Sequence, residues 1–146
     1  MSEYTTEHLR VAATAQDCYA VAVALEHYPE WVSDIKQVTI DARDEQGRPL
    51  EVSFRAAAFG RSTNYSLRYD YSEAPQALAW QQISGDITSK LDGSYHFSAD
   101  ADGTDVTYEL TVELKVPIPG FIKSRAQGRI QATALRELRA RVESQS

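Results

Sequence analysis

Cysteine, histidine and long hydrophobic runs are scarce in this 146-residue chain, and each scarcity removes a class of function. The single cysteine, Cys18, has no partner for an internal disulfide, which is typical of a protein from a reducing cytoplasm. The three histidines, His8, His27 and His96, are scattered, without the spacing of a metal site. No apolar stretch approaches the roughly 18 residues of a membrane span, so we expect no stable membrane insertion.

The chain also lacks the short signatures of export and of common enzymes. Before Glu7 there is no basic region followed by an apolar run, so we predict no signal peptide and a cytoplasmic location. GxSxG, HExxH and glycine-rich phosphate loops are missing, and we predict neither a cofactor nor a metal. The segment Asp100-Ala101-Asp102-Gly103 resembles a calcium loop only superficially, because Thr111 stands where the bidentate glutamate belongs.

Negative charge predominates outside the C-terminal segment. The chain has a net charge of −6, yet residues 121–143 sum to +4, which leaves −10 for the remainder. A body this acidic repels phosphate backbones, so we expect no nucleic-acid partner.

Alternating apolar and polar residues from Lys36 to Val116 predict a series of antiparallel β-hairpins, preceded by a strand over His8–Ala13. The alternation is clearest in Val106–Val116, where every second residue is apolar. That pattern is typical of a strand with one face on the core and one in solvent.

Two short helices are predicted between the first strand and the hairpins, and one long helix after them. Thr14 caps a helix over Ala15–Leu25, and Pro29 begins a second helix that carries Trp31. The last segment, from Phe121 to about Val142, predicts a single amphipathic helix. Its apolar stripe consists of Phe121, Gly128, Ala132, Leu135, Leu138 and Val142.

This order of elements predicts the architecture, because a sheet with one apolar face needs a covering element and the last helix is the candidate. We predict an α+β fold with a seven-stranded curved antiparallel sheet wrapped around the C-terminal helix, as one domain over residues 1–146. The polar first half of that helix, which includes Ser124 and Gln127, predicts that a cavity between helix and sheet opens at this end.

Five segments resemble the START-like helix-grip superfamily, which includes birch-pollen-allergen-like proteins, aromatic polyketide cyclases and coenzyme Q-binding proteins. They are Tyr28-Pro29-Glu30-Trp31, Leu91-Asp92-Gly93-Ser94-Tyr95, Gly103-Thr104-Asp105-Val106-Thr107-Tyr108, Val116-Pro117-Ile118-Pro119-Gly120-Phe121 and Ala134-Leu135-Arg136-Glu137-Leu138. They look like the polyketide cyclase/dehydrase and lipid-transport branch found in actinobacteria. The resemblance covers nearly the whole chain and implies a fold more than a function.

Aromatic residues share strand parities with the apolar residues, so they either fill the core or line a cavity for a flat hydrophobic ligand with a few oxygens. The residue Trp31 is either a hydrophobic plug or a gate, and Arg125 is either solvated or binds a carbonyl or anionic group at the mouth. The predicted ligand-binding residues are Trp31, Phe54, Tyr65, Tyr69, Trp80, Tyr95, Tyr108, Phe121 and Arg125.

Three functions remain open on the sequence. The favoured one is binding or transport of a lipid, quinone or polyketide-like molecule by a monomer or homodimer. The alternative is a polyketide cyclase or dehydratase that templates its substrate, although the inward strand positions offer no Asp, Glu or His as a base, and we predict no catalytic residue. The third is an interaction module with a vestigial cavity.

We expect a chain that ends after Pro119 to be insoluble or molten, because the sheet would then expose its apolar face. Urea unfolding followed by circular dichroism measures this directly. A cooperative transition in the truncated chain would contradict the predicted dependence of sheet on helix.

Overall fold

Seven antiparallel strands form one sheet in the computed structural model, within the residues it describes, 3–58 and 60–145. The elements are β1 (Glu3–Val11), α1 (Ala15–Val23), a 3-10 turn (Leu25–His27), α2 (Tyr28–Trp31), β2 (Ile35–Arg43), β3 (Pro49–Ala58), β4 (Arg61–Asp70), β5 (Ala77–Gly85), β6 (Thr88–Asp100), β7 (Gly103–Leu114) and α3 (Gly120–Ser144). The strand order is β1-β7-β6-β5-β4-β3-β2, so the first and last strands pair. This confirms the predicted helix-grip fold.

Irregular pairing bends the sheet into its concave shape. Register shifts occur between Ser66 and Leu67 on β4, between Thr88 and Lys90 on β6, and at several points of β2. Such bulges increase the local twist and bend the strand that carries them. The concave face is the apolar one, and α3 lies against it.

Two buried glutamines fix the first half of α3 to the sheet. Gln127 Nε2 donates to the carbonyl of Leu110 at 3.0 Å and to Thr5 Oγ1 at 2.8 Å. Gln131 Nε2 donates to the carbonyl of Tyr108 at 3.0 Å and to that of Thr5 at 3.2 Å. Each amide therefore bridges β1 and β7, and both glutamines are 0 % exposed.

The predicted apolar stripe is confirmed in the second half of α3 and wrong in the first. Leu135, Leu138 and Val142 are buried, whereas Phe121 is 71 % exposed. The buried face continues through the two glutamines because their amides find backbone acceptors on the sheet. A stripe drawn through apolar residues alone misses that face.

The predicted boundaries also change near the N-terminus. The first strand is longer than His8–Ala13 and starts at Glu3, because residues 3–7 pair with β7 although they are mostly polar. The helix predicted over Ala15–Leu25 ends at Val23, and the chain continues as a 3-10 turn into α2. The cap is as predicted, since the Asp17 N–H donates to Thr14 Oγ1 at 3.1 Å.

We expect Gly93→Ala to destabilise the protein and displace Trp80, a residue that lines the cavity described below. A Cβ at Gly93 would lie 2.6 Å from the Glu109 carbonyl oxygen and 2.7 Å from a Trp80 ring carbon. Overpacking of this kind costs about 1–3 kcal/mol. Urea unfolding and tryptophan fluorescence measure both effects.

The matched control is Gly120→Ala, because a Cβ there meets nothing within 4 Å. Equal stability of the two variants would show that β6 tolerates a side chain beneath Trp80.

Candidate functional site

An internal cavity of about 120 Å³ lies between the concave face of the sheet and α3. Strands β3 to β7 supply most of its wall, while α2 and the segment after it close one side. From α3 come Ile130, Ala134 and Glu137. The aromatic residues of the wall are Tyr28, Phe54, Tyr65, Tyr69, Trp80, Tyr95 and Tyr108.

These rings contact one another in two clusters. Phe54 stacks on Tyr65 with ring centroids 5.3 Å apart. Trp80 lies 5.6 Å from Tyr95 and 5.8 Å from Tyr108. Because each ring is held by its neighbours, the aromatic wall is fixed in shape as well as apolar.

Four tyrosine hydroxyls in the wall have no hydrogen-bond partner among the described residues: those of Tyr65, Tyr69, Tyr95 and Tyr108. None of their oxygens is fully enclosed without a partner, so they border the free space of the cavity. The hydroxyl of Tyr28, which also lies in the wall, is satisfied, since it donates to the Ala22 carbonyl. The unpartnered hydroxyls can therefore donate to, or accept from, a molecule in the cavity.

Burial also sets the protonation of these tyrosines. Desolvation raises the pKa of Tyr65, Tyr69, Tyr95 and Tyr108 well above the ordinary tyrosine value. The negative charge of Asp34 raises the pKa of Tyr65 by a smaller amount, and the negative charge of Glu137 does the same for Tyr95. All four tyrosines are neutral hydrogen-bond donors at physiological pH.

Two carboxylates line the cavity, and the sequence interpretation missed both. Asp34 precedes β2, and its backbone carbonyl accepts from the Ala57 N–H at 2.8 Å, which holds it beside β3. Glu137 Oε1 accepts from the Ser33 N–H at 3.1 Å. Glu137 lies on the same side of α3 as Ile130 and Ala134, because the three residues are spaced by four and then three positions. This helical spacing is a sequence signal that could have identified Glu137 as a cavity residue.

A larger vestibule of about 440 Å³ adjoins the cavity. Both spaces share Asp34, Ala57, Ala58 and Ile130 in their walls. Residues that line the vestibule but not the cavity include Ile122, Arg61 and Arg129. Two arginines therefore line the vestibule but not the cavity, and Asp34 borders both spaces.

Six of the nine predicted site residues line the cavity: Phe54, Tyr65, Tyr69, Trp80, Tyr95 and Tyr108. Trp31 is one layer behind, in edge-on contact with Tyr28 at 5.1 Å between ring centroids. Phe121 and Arg125 are both exposed, and neither lines the cavity or the vestibule. Residues 122, 126 and 129 lie on the face of α3 that lines the vestibule. Arg129, one turn beyond Arg125, is therefore the arginine of this helix at the vestibule, where Arg125 was expected.

A serine, a histidine and a glutamate meet on the outer face of the sheet. Ser94 Oγ lies 2.9 Å from His96 Nε2, and Glu109 Oε2 lies 3.1 Å from the same nitrogen. A nucleophilic triad needs the serine and the acid on opposite ring nitrogens. This cluster lacks that arrangement.

Metal-binding clusters and membrane-spanning helices are both absent from residues 3–58 and 60–145. These residues contain no group of three or more His, Cys, Asp or Glu side chains placed to hold a metal ion. They also contain no helix long and apolar enough to cross a membrane.

Residues 4–143 match the family model for polyketide cyclase / dehydrase and lipid transport. The chain belongs to this family. No curated protein matches the sequence. The polyketide cyclase / dehydrase and lipid transport family is compatible with hydrophobic-ligand binding and with polyketide cyclisation, and so is the cavity of this member.

Solved structures share the fold over nearly the full length of the chain. A START superfamily protein from Mycobacterium smegmatis has 26 % identity and a TM-score of 0.91, covering 98 % of this chain and 99 % of that one. The Zhui aromatase/cyclase from Streptomyces sp. R1128 has 14 % identity and a TM-score of 0.85, covering 98 % and 94 %. A protein from Thermus thermophilus has 20 % identity and a TM-score of 0.82, covering 99 % of both chains.

We expect the stability of this family member to fall as pH rises above 10, because its cavity tyrosines keep their protons in the folded state and lose them on unfolding. A raised folded pKa leaves stability unchanged below the ordinary tyrosine value of 10.0 and reduces it above that value. Above that pH, each tyrosine lowers the free energy of unfolding by up to about 1.4 kcal/mol per pH unit. Urea unfolding between pH 9 and 11 measures the slope.

The double variant Tyr69→Phe/Tyr95→Phe should lose the part of that slope that two tyrosines contribute. Native protein in which the phenolate absorbance of all its tyrosines develops near pH 10 before unfolding would contradict the burial of these hydroxyls.

Proposed function

We propose that the protein binds a small aromatic molecule with several hydrogen-bonding oxygens in the cavity between α3 and the sheet. The observation that carries this proposal is the set of four unpartnered tyrosine hydroxyls in a wall of aromatic rings. The rings supply apolar contact area and the hydroxyls supply orientation, which is the usual division of labour in a small-molecule site.

The sizes of the two spaces favour a ligand bound by one end. A cavity of about 120 Å³ is below the roughly 300–1,000 Å³ of sites that enclose drug-sized ligands. An engineered cavity of roughly 150 Å³ holds benzene, so the inner space fits about one aromatic ring. The rest of a larger ligand extends into the vestibule.

A second candidate function is cyclisation or dehydration of a polyketide-like substrate. The carboxylates of Asp34 and Glu137 favour it, because such chemistry needs a base to remove a proton beside a carbonyl. A neutral tyrosine hydroxyl could donate to the oxygen on which negative charge develops. Membership of the polyketide cyclase / dehydrase and lipid transport family supports both candidates, and one structural relative is an aromatase/cyclase.

We expect 2-naphthol to bind with micromolar affinity, about −8 kcal/mol, and to lose affinity in Tyr69→Phe and Tyr95→Phe. Loss of one hydrogen bond should cost about 0.5–1.5 kcal/mol. Unsubstituted naphthalene should bind both variants as it binds the native protein. Isothermal titration calorimetry compares the two probes.

The control is Tyr71→Phe, because the Tyr71 hydroxyl donates to the Pro49 carbonyl at 2.6 Å and Tyr71 is outside the cavity wall. If Tyr69→Phe, Tyr95→Phe and Trp80→Phe all retain native affinity for 2-naphthol, the ligand site is elsewhere.

A test of turnover distinguishes the two candidates. If the protein only binds, a poly-β-ketone should cyclise no faster in its presence than confinement allows, and product should not exceed one equivalent per protein. Multiple turnovers that Glu137→Gln or Asp34→Asn abolishes, while 2-naphthol still binds, would favour the enzyme. Chromatography of the product with time measures this.

A further inference from the structure

The charged side chains in the wall of the inner cavity are both acidic. They are Asp34 and Glu137, and no Lys, Arg or His of the described residues joins them there. A ligand that enters therefore meets negative charge at the end of the cavity near α3 and the start of β2.

The carboxylates are open to a ligand. The Asp34 carboxylate has no hydrogen bond or ion pair with a described residue. Glu137 uses Oε1 for the Ser33 N–H, and no other described donor lies on its carboxylate. Both residues are half-buried, which weakens the competition of water for their oxygens.

The aromatic wall, like the carboxylates, favours a positively charged ligand. The face of an aromatic ring attracts a cation placed within about 6 Å of its centroid. Tyr65 lies close enough to Asp34, and Tyr95 close enough to Glu137, for each negative charge to raise the pKa of the tyrosine. Tyr69 and Tyr95 are 5 % and 6 % exposed, and their unpartnered hydroxyls border the cavity.

We propose that this cavity selects aromatic molecules carrying a protonated amine over carboxylates of the same shape. The inference rests on the proposed function, since it names the ligand class of the same site. The ammonium group lies between the carboxylates of Asp34 and Glu137, and the aromatic body packs on the rings of β3 to β7.

The vestibule provides the opposing charges. Arg61 and Arg129 line it together with Asp34, and no ion pair joins either arginine to that carboxylate. A ligand whose charged group stopped in the vestibule would be selected for negative charge. A preference for positively charged ligands would place the charged group in the cavity, and a preference for negatively charged ligands would place it in the vestibule.

Three one-ring probes of similar shape separate these cases: 2-phenylethylammonium, 2-phenylethanol and phenylacetate. By calorimetry at neutral pH and low salt, we expect the ammonium to bind about tenfold more tightly than the carboxylate, with the alcohol between them. Equal affinities, or tighter binding of the carboxylate, would overturn this inference and leave the proposed function intact. Failure of all three probes to bind would overturn both.

Isosteric variants locate the effect. Asp34→Asn and Glu137→Gln should each weaken ammonium binding by roughly fivefold, strengthen carboxylate binding, and leave the alcohol within about twofold. A purely structural disturbance would weaken all three probes together and would contradict the proposal. The control is Glu45→Gln, which removes one negative charge at an exposed turn and should change none of the three affinities.

Discussion

The placement of α3 on the sheet is the constraint on which the cavity depends. Gln127 and Gln131 tie the helix to β1 and β7 at once. Gln127 Oε1 is buried and has no partner among the described residues, which offsets part of what these hydrogen bonds contribute. We therefore interpret the amides as fixing the axial position of the helix, while Leu135, Leu138 and Val142 supply the apolar contact.

The aromatic residues of the sheet serve stability and recognition together. Trp80 packs on Tyr95 and Tyr108 and also forms part of the cavity wall. It can lie flat against β6 because Gly93 has no side chain beneath it. Enlarging the cavity by removing one of these rings would remove core contacts as well, so cavity size and stability are linked.

Strand parity and the long final helix were sufficient to predict the fold, because both patterns are local and repeat with a known period. Parity also selected six of the seven aromatic residues of the cavity wall, all except Tyr28, which lies on α2. The helical stripe failed for Phe121, because the buried face of α3 runs through two glutamines whose amides find acceptors as far as 126 residues away in the sequence. Neither pattern selected Asp34 and Glu137, because a polar residue between elements, or at the edge of a helix stripe, resembles a solvated one.

The difference in size between the cavity and the vestibule has a consequence for how much of a long ligand the protein would cover. The inner space fits one ring, and the vestibule is wider and open at the exposed start of α3, beside Ile122 and Arg129. A long molecule held this way would be gripped at one terminus while its remaining length stayed accessible.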